Sequence, residues 1–455
     1  MNLMSTYGVM IKEYSSIFKA TARLYREAVD FMIAVCDSEW DYICKEPTMQ
    51  KQKSVVEAIT MPSKHRPSVR HDFSAAFPKF PSYLRRAAIA EAIGKVSSYR
   101  SNLANWESAN PAERGKRPGF PKAGFVYPAM YRDNMFIRID TYTAKIKVFI
   151  RNTWDWLTVS LKKSDADYIV RHCGSREECV PTLQKRGKRW YLDFAFREII
   201  KLPDADVRNQ TILAVDLGIN SACTCCVMNS EGAVAGREFL KLQAENDSLE
   251  HAVGRIKKAQ RQGAKRMPRL WAAVNGINDD IAVKTANFII DTAVRYNVDV
   301  IVMEHLDTEG KKRGSRKQRL HFWKAKYVQA MITDKAHRNL IRVSTVCAWN
   351  TSRLAFDGSG RVKRGKESEK TGGCYSVCEF QNGKVYNCDL NASYNIGARY
   401  FVRAIVNSLP GRIRQAGKPS PVTAGQLLEA KVPSAVKRST CTLSTLISLN
   451  AVLAA

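Results

Sequence analysis

The chain has 455 residues, of which 72 are Lys or Arg and 43 are Asp or Glu, so its formal net charge is +29. Hydrophobic residues make up 45% and charged residues 25%, which excludes intrinsic disorder, collagen and a small disulfide scaffold. The length suggests about two to four domains. The positive surplus favours a polyanionic partner, with nucleic acid ahead of a membrane surface.

The apolar segments and the cysteines predict a cytoplasmic protein without a membrane partner. No uninterrupted apolar stretch approaches the roughly 20 residues that span a bilayer. Residues 1–14 lack the compact apolar segment of a secretory signal. Cys223, Cys225 and Cys226 lie in an apolar run, where thiols behave as small hydrophobic side chains. A reducing compartment fits this usage better than a disulfide framework.

Two runs of basic residues add to the case for nucleic acid. The first, within 255–269, contains no acidic residue, and the second lies within 311–319. One such run is often only a solvated face, but two of them on a chain of this charge indicate phosphate contacts. The candidate contacts are Arg255, Lys257, Lys258, Arg261, Lys311, Lys312 and Arg313.

The N-terminal half reads as helices followed by short strands. A strand is predicted within 5–12, and helical spacing predicts helices over 15–36 and 82–105, the second capped by Ser82. A Pro- and Lys-rich stretch separates them, and the basic, turn-rich segment 113–122 marks a boundary. Short alternating strands between 126 and 200 predict an antiparallel β domain that forms a small barrel.

The C-terminal half has the layout of an α/β domain. Strands are expected at 211–216, at 222–228, near 233, at 298–304 and at 341–346. Helical sequence covers 237–296, 324–340 and 390–408, and a loop-rich insertion covers roughly 350–385. The partly apolar tail, 430–455, fits a docking helix, a dimer contact or the end of the core.

Three carboxylates stand at the ends of these elements. Asp216 and Glu304 end apolar strands, and Asp389 precedes a helix. Ligands of open α/β sheets bind beyond the carboxyl ends of strands, so the three could converge there. Clustered carboxylates repel one another unless a cation lies between them, and hard oxygen ligands favour Mg²⁺ or Mn²⁺. Two such ions about 4 Å apart can stabilise the attacking water and the leaving oxygen of a phosphodiester.

Each carboxylate also has a plainer interpretation. Asp389 could serve only as a helix cap, Asp216 could shape a turn, and Glu304 could end a strand in solvent. The pattern strand–Asp–x–Gly also opens the actin-like and sugar-kinase ATPases. Those proteins need a second phosphate loop, and its candidate at 357–360 lies in a basic loop. The three carboxylates together, on a chain of this charge, therefore favour a nuclease.

Three motifs resemble, in order, the RuvC motifs of TnpB proteins, the transposon-encoded relatives of compact type V CRISPR effectors. They are Val215-Asp-Leu-Gly-Ile-Asn220, Ile301-Val-Met-Glu-His-Leu306 and Asp389-Leu-Asn-Ala-Ser-Tyr-Asn-Ile396. The segment 117–122 also looks like the turn that precedes the barrel strands in TnpB. The three motifs together are specific, whereas the first alone would be weak.

The resemblance implies a multidomain α+β fold. An N-terminal helical recognition region is inserted in a wedge-like β-barrel, and a split RuvC nuclease of RNase H-like α/β fold follows. The implied parts are a first barrel strand (1–14), the helical recognition region (15–117), the β-barrel (118–206), the first RuvC part (207–349), a nuclease-lobe insertion with a degenerate zinc ribbon (350–386), and the second RuvC part with the C-terminal tail (387–455).

The implied activity is RNA-guided cleavage of DNA next to a short flanking motif. Asp216, Glu304 and Asp389 would be the catalytic residues and would hold Mg²⁺, with two ions expected and Mn²⁺ as a substitute. Guide RNA and double-stranded target DNA would be the partners of a monomer or homodimer. Two alternatives stay open: a non-catalytic RNA-guided DNA-binding protein, and a guide-free, structure-specific nuclease of RuvC type.

One departure from the family concerns zinc. TnpB proteins usually carry two Cys-x-x-Cys pairs between the second and third motifs, and 351–358 occupies the place of the first pair without a cysteine. The remaining candidate thiols are Cys347, Cys374, Cys378 and Cys388. Four thiolates can bind Zn²⁺, but their spacing does not suit two knuckles. The sequence favours a metal-free insertion.

Overall fold

A computed structural model describes residues 1–13, 16–111, 114–218, 221–306, 324–408 and 440–454. The chain divides into an N-terminal unit, Asn2–Ile199, and a C-terminal unit that begins at Ile200. Both units combine helices with sheets. The expected mixed, multidomain α and β organisation is therefore confirmed.

The helices of the N-terminal unit pack through amphipathic faces. In the first helix, Phe18, Tyr25 and Met32 recur every seven residues on the buried side. The predicted helices over 15–36 and 82–105 are confirmed, but Pro81 rather than Ser82 holds the cap position of the second. The helices are α1 (Ser16–Ser38), α2 (Trp40–Ile43), α3 (Met49–Thr60), α4 (Phe73–Ala76), α5 (Ser82–Ser108) and α6 (Lys163–Cys173).

The strands of the N-terminal unit form two open sheets. They are β1 (Asn2–Met10), β2 (Phe136–Arg138), β3 (Thr143–Ile150), β4 (Thr153–Ser160), β5 (Glu177–Glu178), β6 (Thr182–Arg186) and β7 (Arg189–Ile199). β7 pairs with β1, β5 and β6, while β2, β3 and β4 form a separate sheet. A single bridge, Ile11 to Leu161, joins the ends of β1 and β4. Within the described ranges no ladder closes the two sheets, so the predicted barrel is not confirmed.

A five-stranded sheet forms the centre of the C-terminal unit. Its order is β10-β9-β8-β11-β12; β8, β9 and β10 pair antiparallel, whereas β8, β11 and β12 run parallel. The strand at the edge, β10, covers the first residues of the stretch that the sequence predicts as helical from 237. The strands are β8 (Thr211–Leu217), β9 (Cys223–Asn229), β10 (Val234–Leu240), β11 (Val300–His305) and β12 (Arg342–Cys347).

Helices cover both faces of this sheet. α8 and α9 pack on one face, which we call the helical-pair face, and α10 packs on the other, the α10 face. α10 lies close to the sheet because Gly397 has no side chain: a Cβ there would lie 3.3 Å from the Cβ of Ala214. The helices are α7 (Gln243–Arg261), α8 (Pro268–Arg295), α9 (Ala325–Arg338), α10 (Cys388–Ser408) and α11 (Leu443–Ala454).

The insertion between β12 and α10 has a small core of its own. Its strands, β13 (Lys363–Arg364), β14 (Val377–Glu379) and β15 (Val385–Asn387), form one antiparallel sheet. Of the apolar tail residues, Leu443, Leu446 and Leu449 are buried with α10, so this part of the tail completes the core, while residues 409–439 lie outside the described ranges. None of the helices described is long and apolar enough to span a membrane.

Candidate active site

The sheet register places Asp216 beside Glu304. β8 and β11 are parallel neighbours, and their last paired residues are Val215 and Met303. Asp216 and Glu304 are the residues that directly follow this pair. Side chains alternate along a strand, and Ala214 and Val302, two residues earlier, both face α10. Asp216 and Glu304 therefore share the α10 face, at the carboxyl ends of their strands. Both remain half-buried, so solvent reaches them.

Asp389 joins this end of the sheet from the first turn of α10. It is not the cap of the helix, because the side chain of Asn387 accepts the hydrogen bond from the backbone N–H of Leu390, at 2.8 Å. Asp389 is half-buried. The interpretation of Asp389 as only a helix cap is therefore wrong.

Glu304 and Asp389 act electrostatically on Asp216. Burial, together with the negative charges of Glu304 and Asp389, raises the pKa of Asp216 well above its ordinary value. Burial also raises the pKa of Glu304 and of Asp389. The structure thus brings together the three acidic side chains that the sequence singled out, in an arrangement that disfavours three negative charges.

Glu304 is fixed by the turn that follows β12. The hydroxyl of Thr351, which is 3% exposed, donates a hydrogen bond to the Glu304 carboxylate, and it also lies 3.0 Å from the carbonyl of Ala348. Gln329 on α9 donates to the backbone carbonyl of Glu304 at 2.7 Å. The Thr351 bond and the charge of Arg399 act to lower the pKa of Glu304, against burial.

A polar ladder along α10 holds that turn in place. Asn391, Asn395 and Arg399 follow one another at four-residue spacing and are nearly or fully buried. Asn395 donates to the carbonyl of Thr351 at 2.9 Å, and Arg399 donates to the carbonyl of Trp349 at 2.8 Å. Sequence reasoning missed this ladder, although its i, i+4 spacing lies partly within the third motif.

Two positively charged side chains lie near Asp389. The half-buried Arg364 of β13 and the exposed Lys241 act to lower the pKa of Asp389, as does a hydrogen bond from Ser221. Burial outweighs them, so the net shift is upward. These cations belong to the insertion and to the loop after β10, two parts of the chain far apart in sequence.

Comparison with known proteins adds sequence relatives and a fold. A profile described as the Aq_aa04 family matches residues 5–150. TnpB-like protein aq_aa05 of Aquifex aeolicus (strain VF5) is 26% identical over 238 residues, which cover 47% of this chain and 74% of the relative. The uncharacterized protein aq_aa04 of the same organism is 29% identical over 126 residues, or 25% of this chain and 67% of the relative.

Among solved structures, the Cas12f1–sgRNA–target DNA complex matches with a TM-score of 0.53 at 14% identity, over 83% of this chain and 81% of that one. At this identity the match is evidence of a shared fold alone. The chain is similar to a TnpB-like protein. The resemblance inferred from the three motifs is confirmed by these relatives.

The three carboxylates of this chain form a donor set that suits a divalent cation. Within the described ranges, no group of three or more His, Cys, Asp or Glu side chains is spaced to hold a metal ion. The chemistry nevertheless fits, because the negative charges of Glu304 and Asp389 raise the pKa of Asp216, and a cation among the three carboxylates would relieve that repulsion. Asp216, Glu304 and Asp389 are the residues that would hold it.

The four candidate zinc ligands lie in different environments. Cys378 and Cys388 are buried, and a hydrogen bond between their thiols raises the pKa of Cys378. Cys374 is exposed with its sulfur 2.9 Å from the hydroxyl of Ser376. Cys347 is exposed at the end of β12, where its carbonyl accepts from Arg399 at 2.6 Å. The described side chains therefore form no zinc site from this set.

The first basic run lies on an exposed helical hairpin. α7 and α8 pack on each other through the small core of Val253, Ile256 and Val274. Arg255, Lys257, Lys258 and Arg261 are all exposed on α7. Lys311, Lys312 and Arg313 lie outside the described residues.

Proposed function

We propose that this protein is an RNA-guided, divalent-metal-dependent DNA endonuclease that cleaves target DNA beside a short flanking motif. The convergence of Asp216, Glu304 and Asp389 on one face, at one end of a parallel strand pair, carries the proposal. In this proposal the C-terminal unit is a RuvC nuclease of RNase H-like fold. The N-terminal unit supplies the recognition helices and the wedge.

The three carboxylates would hold Mg²⁺, which supplies charge stabilisation for the attacking water and the leaving oxygen of the phosphodiester. The chain's own residues do the rest of the positioning. Thr351 and Gln329 fix Glu304, and the seating of α10 against the sheet fixes Asp389. Arg364 and Lys241 place positive charge beside Asp389, where a phosphate of the substrate strand would approach.

The charge of the chain supports nucleic-acid partners. A net charge of +29 and the exposed basic hairpin suit contacts to phosphates without sequence preference. The matching Cas12f1 structure is a complex with sgRNA and target DNA. In a guided enzyme, base pairing supplies the sequence specificity while the protein contacts the backbone.

The nuclease part is tested by metal removal and by carboxamide variants. Cleavage of DNA should need Mg²⁺ or Mn²⁺ and should stop with EDTA. Asp216→Asn, Glu304→Gln and Asp389→Asn should each abolish it and leave nucleic-acid binding intact. Asp291→Asn, on the exposed side of α8, is the matched control and should cleave normally. Metal-independent cutting, or full activity in all three variants, would refute the carboxylate site.

The guided part is tested by the RNA that the protein carries. The protein is expressed with its native flanking DNA, and the RNA that co-purifies is sequenced. One abundant species with a constant scaffold and a variable end is expected. Heterogeneous RNA that moderate salt removes would instead favour the guide-free nuclease. A defined RNA without any cleavage of its matching DNA would favour the non-catalytic DNA-binding protein.

The basic hairpin is tested by salt dependence. Replacing Lys257, Lys258 and Arg261 together should reduce the slope of log binding constant against log salt by up to about 3 units. The measurement is the affinity for double-stranded DNA over a salt series. An unchanged slope would mean that these residues form only a solvated face.

A further inference from the structure

A cavity of about 590 Å³ lies at the edge of the sheet next to β12 and α10. His305, the residue after Glu304, lines it, as do Trp349, Arg399 and Arg403. Its volume falls in the range of pockets that hold small ligands, about 300–1,000 Å³. The carboxylate cluster does not use this cavity, although the lining begins at the residue next to Glu304 on β11.

Trp349 is the unusual member of this lining. It is 64% exposed, whereas a tryptophan in a folded chain is highly buried on average. Its backbone is nevertheless held firmly. Arg399 donates to its carbonyl at 2.8 Å, and the next residue, Asn350, has a left-handed backbone with φ 65°. A fixed backbone that presents an exposed indole is preorganised for a flat partner, because little conformational freedom is lost on binding.

The charge of the lining fits a phosphate-bearing ligand. Among the described residues that line the cavity there are two arginines and one histidine but no Asp or Glu. Both arginines also bond within the protein: Arg399 to the carbonyl of Cys347 and Arg403 to the carbonyl of Thr345, at 2.6 and 2.8 Å. Their positive charges stay at the cavity in those positions.

We propose that this cavity, the Trp349 pocket, binds an unpaired nucleobase of the DNA strand whose phosphate lies at the carboxylate cluster. The base would stack on the indole of Trp349, and the neighbouring phosphate would lie near Arg403. This assignment rests on the proposed nuclease function and adds a positioning site to it. Base stacking on an aromatic ring is tolerant of sequence, as a guided nuclease requires.

The pocket and the cluster share one short turn. Trp349 and Thr351 are two residues apart, and Thr351 donates to the carboxylate of Glu304. The same ladder on α10 holds both, since Arg399 binds the carbonyl of Trp349 and Asn395 binds that of Thr351. A base held on Trp349 would therefore have a fixed position relative to Glu304.

Photocrosslinking tests the contact directly. The full-length protein is mixed with single-stranded oligothymidines that carry one 5-iodouracil at successive positions, with Ca²⁺ in place of Mg²⁺ to suppress cleavage. After irradiation, mass spectrometry should find the crosslink on Trp349 from one position or two adjacent ones. Phe239, 44% exposed on the opposite edge strand, is the internal control. Crosslinks as frequent on Phe239 as on Trp349, or none on Trp349, would overturn the proposal.

Kinetics then separate this inference from the nuclease assignment. Trp349→Ala should raise KM for the DNA strand about tenfold with little change in kcat, while Trp349→Phe restores most of the loss. An abasic site at the crosslinked position should weaken the wild-type reaction but not that of Trp349→Ala. A wild type that cleaves, with KM unchanged in Trp349→Ala, refutes the pocket alone. A Trp349 crosslink on a protein that never cleaves refutes only the nuclease.

Discussion

The two faces of the central sheet use the same strands for different purposes. On the helical-pair face, Leu213, Val215, Ile301 and Met303 pack in an apolar core against α8 and α9. On the α10 face, the alternate residues of the same strands are apolar only as far as the strand ends, where Asp216 and Glu304 follow. Because side chains alternate along a strand, one short strand supplies core residues to one face and a candidate active-site carboxylate to the other.

The helices that cover the two faces differ in the same way. α8 and α9 present apolar residues such as Ile289 and Ile332 to the sheet. α10 also packs apolar residues such as Ile396 and Phe401 on its face of the sheet. In addition it buries Asn391, Asn395 and Arg399, whose hydrogen bonds hold loops beside the carboxylates. Buried polar groups are stable only when they are hydrogen-bonded, so these three residues fix the loop positions. Both faces thus have an apolar core, and the α10 face adds the polar contacts that position the carboxylate cluster.

The largest contrast is expected between Asp216→Asn and Ile301→Ala. Asp216→Asn should reduce cleavage about 10⁴-fold, the scale for one member of a catalytic set, without lowering stability. Ile301→Ala, on the helical-pair face, should cost about 2–5 kcal/mol of unfolding free energy and leave cleavage intact where the protein is folded. Guided cleavage assays and urea unfolding measure the two effects. Equal losses of stability in both variants would remove the distinction between the faces.

Thr351→Val should give the next largest effect. It keeps the shape of the side chain but removes the hydrogen bond to Glu304, and outer-shell partners of this kind are worth about 10–100-fold in activity or metal affinity. The measurement is the Mg²⁺ dependence of the cleavage rate. Thr351→Ser should restore activity. Thr333→Val, which removes a hydroxyl bonded within α9, is the control, and an equal loss there would contradict a specific role for Thr351.

Glycine substitutions compare the packing of the two covering helices. Gly397→Val should cost about 1–3 kcal/mol by overpacking, because a Cβ there already lies 3.1 Å from the sulfur of Met228. Gly276→Ala, on α8, meets no atom within 4 Å and should gain up to about 1 kcal/mol from helix propensity. Thermal unfolding measures both. Stabilisation by Gly397→Val would show that α10 does not lie as close to the sheet as described.

The smallest effect concerns pH. The carboxyls of Asp216, Glu304 and Asp389 have raised pKa values in the folded chain, so it binds more protons than the unfolded chain between the two sets of values. In EDTA their contribution to stability should therefore fall as pH rises through that window. The melting temperature of the wild type relative to Asp216→Asn reports it. A difference that grows with pH in favour of the wild type would contradict these shifts.

Much of the α10 face was predictable from sequence. Apolar strands that end in Asp216 and Glu304, and a helix that begins at Asp389, required only local patterns and the rule for strand ends. The polar ladder was not predictable in the same way, since a buried Asn395 looks like a surface residue until its partner, the carbonyl of Thr351, is known. Whether such a polar residue is buried depends on hydrogen-bond partners that are distant in the sequence.

The architecture of the N-terminal unit was harder to predict from the sequence. Its strands were predicted from alternation, but alternation does not say which strands pair. The barrel was not confirmed because the β2-β3-β4 sheet and the sheet around β7 are joined by one isolated bridge, and by no ladder among the described residues. The position of Cys347 likewise needed the structure, which places it at the end of β12, whereas the other three candidate thiols lie within 374–388.

The most direct test uses the protein with its co-purified RNA on a plasmid that matches the variable end of that RNA. Wild type and Asp216→Asn are compared with Mg²⁺ and with EDTA, on matched and scrambled plasmids. We predict that only the wild type with Mg²⁺ cuts, and only the matched plasmid. Equal cutting by Asp216→Asn, or cutting that ignores the RNA match, would contradict a guided nuclease centred on the carboxylates of the α10 face.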